Sequence, residues 1–156
     1  MNRVTYRLTL IPDCYYVAQR MRSADRDEVA SCGRTPIRCL LNGYIYGHKC
    51  ITILIDGIPI AICGTVISNA KEPKAASIWL LGTDGVTEHK RLFIKNSRAY
   101  LNYLCEGYDL VWNYVDARNR VHIRWLRWLG FVFIRSTTDK SIDGTSFYEF
   151  AKITNV

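Results

Sequence analysis

The stretch Asp109–Phe131, DLVWNYVDARNRVHIRWLRWLGF, decides the fold because it contains three successive elements. An apolar run at residues 110–112 predicts a buried strand, and residues 116–119 form a polar break. The apolar residues that follow recur mostly at spacings of three and four, which is the helical period. Gly130 is the residue type that ends helices in the left-handed conformation, and the β-rich run 131–134 comes next. The stretch therefore predicts a β-α-β unit.

The first half of the chain predicts a strand, three helices and a hairpin. Asp56-Gly57 separates two β-rich runs and is a strong hairpin signal. Pro59 cannot donate to a ladder, so it belongs near a strand start or an edge. The predicted elements are a strand at 4–11, helices from Pro12 to about Met21, from a capping Ser23 to Gly33 and from Pro36 to about Tyr44, and hairpin strands at 50–55 and 58–63.

The second half predicts a polar turn, two strands and a long helix around the opening stretch. The polar turn covers residues 69–74, and a strand follows at 75–81. Thr87 is expected to cap a long helix that continues to Tyr103 or Leu104. Asp143-Gly144 predicts a turn before the last strand, residues 146–153. Together these elements predict an α/β chain with a mixed, mostly antiparallel central sheet and helices on both faces.

Length and composition narrow the class of protein. We expect residues 1–156 to form a single domain, with no membrane span and no signal peptide at the N-terminus. The formal charge of +7 favours attraction to polyanions, although a solvated basic surface explains it equally simply. The six cysteines lack Cys-x-x-Cys spacing, so we expect free, mostly buried thiols and no metal site.

The predicted order of elements resembles the GNAT superfamily, the acyl-CoA N-acyltransferase fold. Asn119 and the triplet at 129–131, Leu-Gly-Phe, keep the frame of a sequence pattern that members of this superfamily often carry. A closer resemblance covers most of the chain and links this chain to small GNAT-like proteins encoded by bacteriophages. That group includes an internal virion protein of short-tailed phages that supports assembly of the ejectable core. The runs that carry this resemblance are residues 21–29, 79–83, 112–119 and 123–126.

The superfamily resemblance implies a pyrophosphate loop after the fourth strand, where glycines let backbone N–H groups approach phosphates. The matching segment, residues 82–91, has Gly82 and Gly85 but not the motif, and Asp84 and Glu88 place negative charge there. An ordinary strand–helix loop is the alternative. If acyl-CoA, such as acetyl-CoA, binds, the expected contact residues are Leu81, Thr83, Gly85 and Asn119. Asn119 could equally cap a helix.

The resemblance also implies a general acid, which is usually a Tyr on the helix after the fifth strand. Leu126 occupies that position here and has no proton to give, so Tyr114 is the substitute candidate. Asp84 and His48 are the nearest candidates for a general base. No nucleophile is indicated, since Cys63 lies within an apolar strand. The catalytic residues of this chain therefore stay unassigned.

The four tryptophans have three interpretations. Aromatic residues mixed with arginines occur in single-stranded nucleic-acid sites and in protein interfaces. Trp79 and Trp112 lie within predicted strands, which favours the core. Trp125 and Trp128 are three residues apart on a predicted helix, so we expect them to be buried together. We do not expect a nucleic acid partner.

Two functions follow from the resemblance. In the first, the chain is a non-catalytic internal virion or assembly protein that acts through contacts with other phage virion proteins or a host protein. In the second, it is a divergent acetyl-CoA-dependent N-acetyltransferase that modifies an amine on a host or phage protein. Both place it in the host cytoplasm during infection, and the first extends to the virion. The missing phosphate motif and Leu126 favour the first.

Overall fold

The computed structural model describes residues 1–71 and 74–155. The polar turn expected at 69–74 therefore includes Glu72 and Pro73, which lie outside the described residues. The strands are β1 (Val4–Leu8), β2 (Lys49–Ile55), β3 (Ile58–Ile67), β4 (Ala75–Gly82), β5 (Leu110–Asp116), β6 (Val132–Thr137) and β7 (Phe147–Ile153). The helices are α1 (Ile11–Gln19), α2 (Ser23–Ser31), α3 (Pro36–Tyr46), α4 (Gly85–Glu88), α5 (Lys90–Cys105) and α6 (Arg120–Trp128).

The strands form one seven-stranded sheet in the order β1-β2-β3-β4-β5-β7-β6. Among the described residues, β4 and β5 pair in parallel and the other adjacent pairs are antiparallel. The predicted mixed, mostly antiparallel sheet is confirmed. β7 lies between β5 and β6, so the two strands of the opening β-α-β unit are not neighbours.

The hairpin between β2 and β3 forms where Asp56-Gly57 predicted it. Both residues have positive φ, 50° and 81°, which is the backbone that the tightest two-residue hairpin turn requires. The ladder shifts register beside Pro59, because Leu54 pairs with Pro59 and Ile53 pairs with Ala61. A bulge at this point accommodates a residue that has no N–H to donate.

Helices cover both faces of the sheet and bury two separate clusters of apolar side chains. On one face, α5 and α6 pack over a cluster that includes Phe93, Leu104 and Ile123. On the other face, α1, α2 and α3 bury a smaller cluster that includes Val17 and Leu40.

Three expectations about local structure were wrong. Thr87 does not cap the long helix, because α4 ends at Glu88 and α5 starts at Lys90 after His89. The N-cap of α2 is Arg22, so Ser23 is its first residue and makes no cap hydrogen bond. All six cysteines are free, but only Cys14 and Cys63 are buried, and the other four are partly exposed.

The tryptophans of α6 also differ from the expectation. Trp125 is partly buried and donates from Nε1 to Ser97 Oγ at 3.3 Å, whereas Trp128 is 47% exposed. The helix ends as predicted: Gly130 has a φ of 92°, and the Phe131 N–H bonds to the Leu126 carbonyl. Trp125 therefore lies in the contact between α5 and α6, and Trp128 lies at the surface.

Candidate functional site

The sheet opens between its two parallel strands. β4 and β5 pair at only three positions, Ala75 with Leu110, Ala76 with Val111 and Ser77 with Trp112. Both strands continue further, to Gly82 and Asp116. Beyond Ser77 the two strands therefore diverge and leave a wedge-shaped gap in the sheet, which we call the wedge.

Side chains of this protein form hydrogen bonds with backbone groups at the open end of the wedge. Asn113 donates from Nδ2 to the Ile78 carbonyl at 2.7 Å. The Asp116 N–H donates to Glu28 Oε1 at 2.6 Å, and the Gly82 N–H donates to Asp25 Oδ2 at 2.9 Å. Strand groups that would lose their ladder partners are thus satisfied from within the protein.

A cavity of about 570 Å³ passes through the wedge. Side chains from both faces of the sheet line it, including Glu28 of α2, Gly43 of α3, Tyr100 of α5 and Leu126 of α6. Trp79 of β4 forms part of the wall. Its size and mostly apolar lining are those of sites that take small molecules or cofactors.

Two ionisable groups in the cavity have shifted pKa values. Burial raises the pKa of Glu28 from 4.5 to about 8, with the nearby carboxylates Asp25 and Asp116 adding to the shift and the Asp116 N–H opposing it. Burial lowers the pKa of His122 to about 4. At neutral pH the cavity therefore contains a largely protonated carboxyl and a neutral imidazole.

Several buried polar atoms around the wedge have no hydrogen-bond partner among the described residues. Three of them belong to residues that line the cavity: Trp79 Nε1, Tyr100 Oη and His122 Nδ1. Asp25 Oδ1 and Asn119 Nδ2 are the others. Such atoms cost free energy unless water or a ligand meets them, so this region is polar enough to hold either.

The turn between β4 and α5 does not fit a pyrophosphate. Its successive N–H groups are already used: Gly85 donates to Thr83 Oγ1, Val86 to the Thr83 carbonyl, and Thr87 and Glu88 to the Asp84 carbonyl. A phosphate cradle needs such groups to converge, unpaired, on the ligand. Both acidic side chains of this segment are also exposed beside the turn.

The two glycines of this turn have a packing reason to be small. A Cβ at Gly85 would lie 2.7 Å from Ile60 Cγ2, and a Cβ at Gly82 would lie 2.7 Å from Val86 Cγ2. Neither glycine has a positive φ in the left-handed region. Close contact between β3, β4 and α4 thus accounts for both residues without a ligand.

The four residues expected to contact a cofactor lie in three places. Leu81 lines the wedge cavity. Thr83 and Gly85 line a different, smaller cavity beside the β2–β3 hairpin. Asn119 caps α6, where its Oδ1 accepts the His122 N–H at 3.3 Å. The structure therefore brings Thr83 and Gly85 together but does not join them with Leu81 and Asn119 in one cavity.

The candidate acid and base residues are also dispersed. Leu126 and Tyr114 both line the wedge cavity, and the Tyr114 hydroxyl contacts Glu149 and Arg135 at 3.4 and 3.2 Å. Asp84 lines the smaller cavity, and His48 bonds to the Tyr108 hydroxyl.

Sequence reasoning missed Glu28, which is the ionisable carboxyl that lines the wedge cavity. Its contact with Asp116 joins residues 88 positions apart, so no local pattern announces it. The only signal was its place in the acidic group at residues 25–28, which the helix dipole also explains.

Solved structures with this arrangement are GNAT acetyltransferases. Ard1 from Thermoplasma volcanium matches with a TM-score of 0.76 at 15% identity, over 98% of this chain and 99% of that one. AAC(6')-Ib in complex with ribostamycin and coenzyme A matches with a TM-score of 0.70 at 15% identity, over 96% and 93%. The ribosomal-protein-S18-alanine N-acetyltransferase from Escherichia coli matches at 0.66 and 17%, over 100% and 96%. The chain has the GNAT fold, and at these identities the likeness concerns the fold alone.

Sequence comparison identifies the family. A family model with the description "Bacteriophage T7, probable scaffold protein Gp13" matches residues 49–138, which is more than half of the chain. The chain belongs to this family. The "Probable scaffold protein gp13" of Escherichia phage T7 is 34% identical over 85 residues, which cover 54% of this chain and 59% of that protein. The match thus spans little more than half of the curated relative's length.

Within residues 1–71 and 74–155, no helix is long and apolar enough to cross a bilayer.

Proposed function

We propose that this chain is a bacteriophage assembly protein that uses a single GNAT-like domain as a scaffold for protein contacts and not for acyl transfer. Membership of the family described by the T7 probable scaffold protein is the observation that carries the proposal. Its partners are other phage virion proteins or a host protein. It acts in the host cytoplasm during infection, and the proposal extends to a place inside the virion.

The turn after β4 supports the non-catalytic part of the proposal. The N–H groups of Gly85 to Glu88 bond within the turn, and Asp84 and Glu88 would repel phosphates. Leu126 in the position of the usual proton donor points the same way. A GNAT scaffold without these parts keeps its surfaces for recognition.

The composition of phage particles made without this protein tests the assembly role. Particles from a phage with the gene inactivated are expected to lack one or more other internal proteins. Supplying the chain in trans is expected to restore them. Particles of normal composition would contradict the proposal.

One observation favours the alternative, a divergent acetyl-CoA-dependent N-acetyltransferase. Glu28 lies in the wedge cavity with its pKa raised to about 8, so its ionised fraction, which grows as the pH rises towards 8, could accept a proton from an amine. Incubation with labelled acetyl-CoA and phage or host proteins tests this reading. Label transfer that Glu28→Gln abolishes would support the alternative, and absence of transfer by the folded protein would count against it.

A further inference from the structure

The positive charge of the protein is concentrated on α5 and α6. These two helices contain seven of the 21 basic residues and no acidic residue, which leaves 14 basic and 14 acidic residues in the rest of the chain. The rest of the chain has no net formal charge, so α5 and α6 account for the whole formal charge of +7. All seven side chains are exposed: Lys90, Arg91, Lys95, Arg98, Arg120, Arg124 and Arg127.

The two helices present these residues on one continuous surface, which we call the α5–α6 face. Both helices pack over the same cluster of apolar side chains on one side of the sheet. The contact between Trp125 and Ser97 joins them, and the Arg98 guanidinium lies 4.5 Å from the centre of the Trp128 ring. The charges of the two helices therefore add in the same region of space.

The stability of α5 and α6 does not explain where most of these basic residues lie along the two helices. Cations are favourable near the C-terminus of a helix and unfavourable near its N-terminus. Here Lys90 and Arg91 begin α5 and Arg120 begins α6, where a cation is unfavourable. The last turn of α5 has no basic residue, and Arg127 in the last turn of α6 is the one that is placed favourably. The placements of Lys90, Arg91 and Arg120 cost stability in the isolated protein and would be relieved by an anionic group outside the face.

The charges are also not neutralised within the protein. Among the described residues, four salt bridges occur, and none involves a residue of α5 or α6. Exposed Glu88 and Glu106 flank α5 at its two ends, not along its length. The face is thus free to attract an acidic partner over long range.

Apolar side chains are exposed among the charges. Trp128 is 47% exposed, Val121 is 68% exposed and Ile94 is 40% exposed. Trp and Arg together are the residue types that contribute most energy to protein–protein interfaces. One face of the Trp128 ring already carries the Arg98 guanidinium, which leaves it less available for stacking on a nucleic-acid base.

We infer that the α5–α6 face is a docking surface for an acidic, partly apolar surface of another protein. The inference rests on the proposed function in taking the partner to be a protein. It adds the chemistry of that partner and the side of the domain that meets it, opposite to the side covered by α1, α2 and α3.

A binding assay with two defined probes tests the inference. The first probe is a synthetic amphipathic peptide of Glu and Leu, and the second is duplex DNA of equal charge; both are fluorescently labelled. Anisotropy is measured at about 0.05 M and about 0.15 M salt, because a purely electrostatic contact weakens strongly between them. The assay needs no phage particles, so it can fail while the particle experiment succeeds.

Two triple variants distinguish binding through the α5–α6 face from binding through the net charge of the protein. Arg120→Gln, Arg124→Gln and Arg127→Gln together remove three charges from α6. The control, Arg20→Gln, Arg34→Gln and Arg38→Gln, removes three exposed charges from the end of α1, the α2–α3 loop and α3. We expect the α6 variant to weaken peptide binding by about tenfold and the control by about twofold or less.

Trp128→Ala supplies the apolar test. It leaves the charge unchanged and is expected to weaken peptide binding by about fivefold or more without affecting binding of the duplex. Equal losses in both triple variants would overturn the inference, since net charge alone would then explain binding. Tighter binding of the duplex than of the peptide, with Trp128→Ala silent for both, would also overturn it and identify a phosphate-binding surface.

Discussion

The Asp116 backbone N–H donates to the Glu28 carboxylate at 2.6 Å, which ties α2 to the open end of β5. This contact reaches across the gap in the sheet from an element 88 residues away in sequence. It exemplifies the wedge, where side chains replace ladder partners between two diverging strands. Burial favours the neutral form of this carboxyl, and the Asp116 N–H opposes that effect.

Glu28 is expected to make the free energy of unfolding decrease as the pH rises through neutrality. Its pKa is about 8 in the folded state against 4.5 ordinarily, so the folded state keeps a proton that the unfolded state has lost. The contribution is complete below about pH 4.5 and is lost as pH rises through 8. We expect the unfolding free energy from urea titrations to decline between pH 6.5 and pH 8 in the wild type.

Glu28→Gln is the matched variant, because the amide oxygen can still accept the Asp116 N–H. It is expected to remove the decline. The lowered pKa of His122, about 4, makes stability rise between about pH 4 and pH 6.5, so it contributes no slope in the chosen window. An identical slope in wild type and variant would show that Glu28 is not the titrating group.

Asn113 is expected to stabilise the wedge through its bond to the Ile78 carbonyl. Asn113→Ala leaves that carbonyl and the Tyr114 N–H, which bonds to Asn113 Oδ1 at 2.8 Å, without their side-chain partner. Loss of about 1–3 kcal/mol is expected in urea unfolding. Asn102→Ala is the control, since Asn102 is exposed on α5 and does not line the wedge cavity. Equal effects of the two changes would count against this role.

The two tryptophans of α6 are expected to differ in their contribution to stability. Trp125 packs on Phe93, with ring centres 5.4 Å apart, and bonds to Ser97. Trp125→Ala should cost about 3 kcal/mol in unfolding free energy, and Trp128→Ala about 1 kcal/mol or less. Comparable losses for both would contradict the different burial of the two rings.

Gly43 is expected to resist enlargement because it faces the wall of the wedge cavity. A Cβ at this position would collide with the Trp79 ring. Gly43→Ala should therefore cost about 1–3 kcal/mol and shift tryptophan fluorescence. Ile45→Ala on the exposed side of α3 is the control. A neutral Gly43→Ala would mean that the Trp79 ring has room to move.

Local signals in the sequence predicted the fold well. Asp56-Gly57 and Gly130 each require a backbone conformation that few residues adopt, so the hairpin and the end of α6 could be placed before the structure was known. The position of β7 between β5 and β6 could not be, because strand order depends on contacts between distant segments. The prediction that Thr87 caps the long helix was wrong because the chain forms a separate short helix before α5.

The site was less predictable than the fold. The resemblance located the turn after β4, but only coordinates reveal that its N–H groups are already bonded. Glu28 reaches the cavity from α2, and its pKa depends on burial, on Asp25 in the same helix and on Asp116 of β5. Its burial and its contact with Asp116 arise from tertiary packing, so no spacing in the sequence predicts them.

Calorimetric titration of the purified protein with acetyl-CoA and with CoA shows whether this GNAT-like domain binds the cofactor of acyl transfer. The measurements are made at low and at moderate salt, so that attraction between a basic protein and phosphates can be separated from a formed site. With folding verified by near-ultraviolet circular dichroism, the account predicts no heat of binding that persists at moderate salt. Salt-resistant binding in the micromolar range would contradict it and would favour the acetyltransferase.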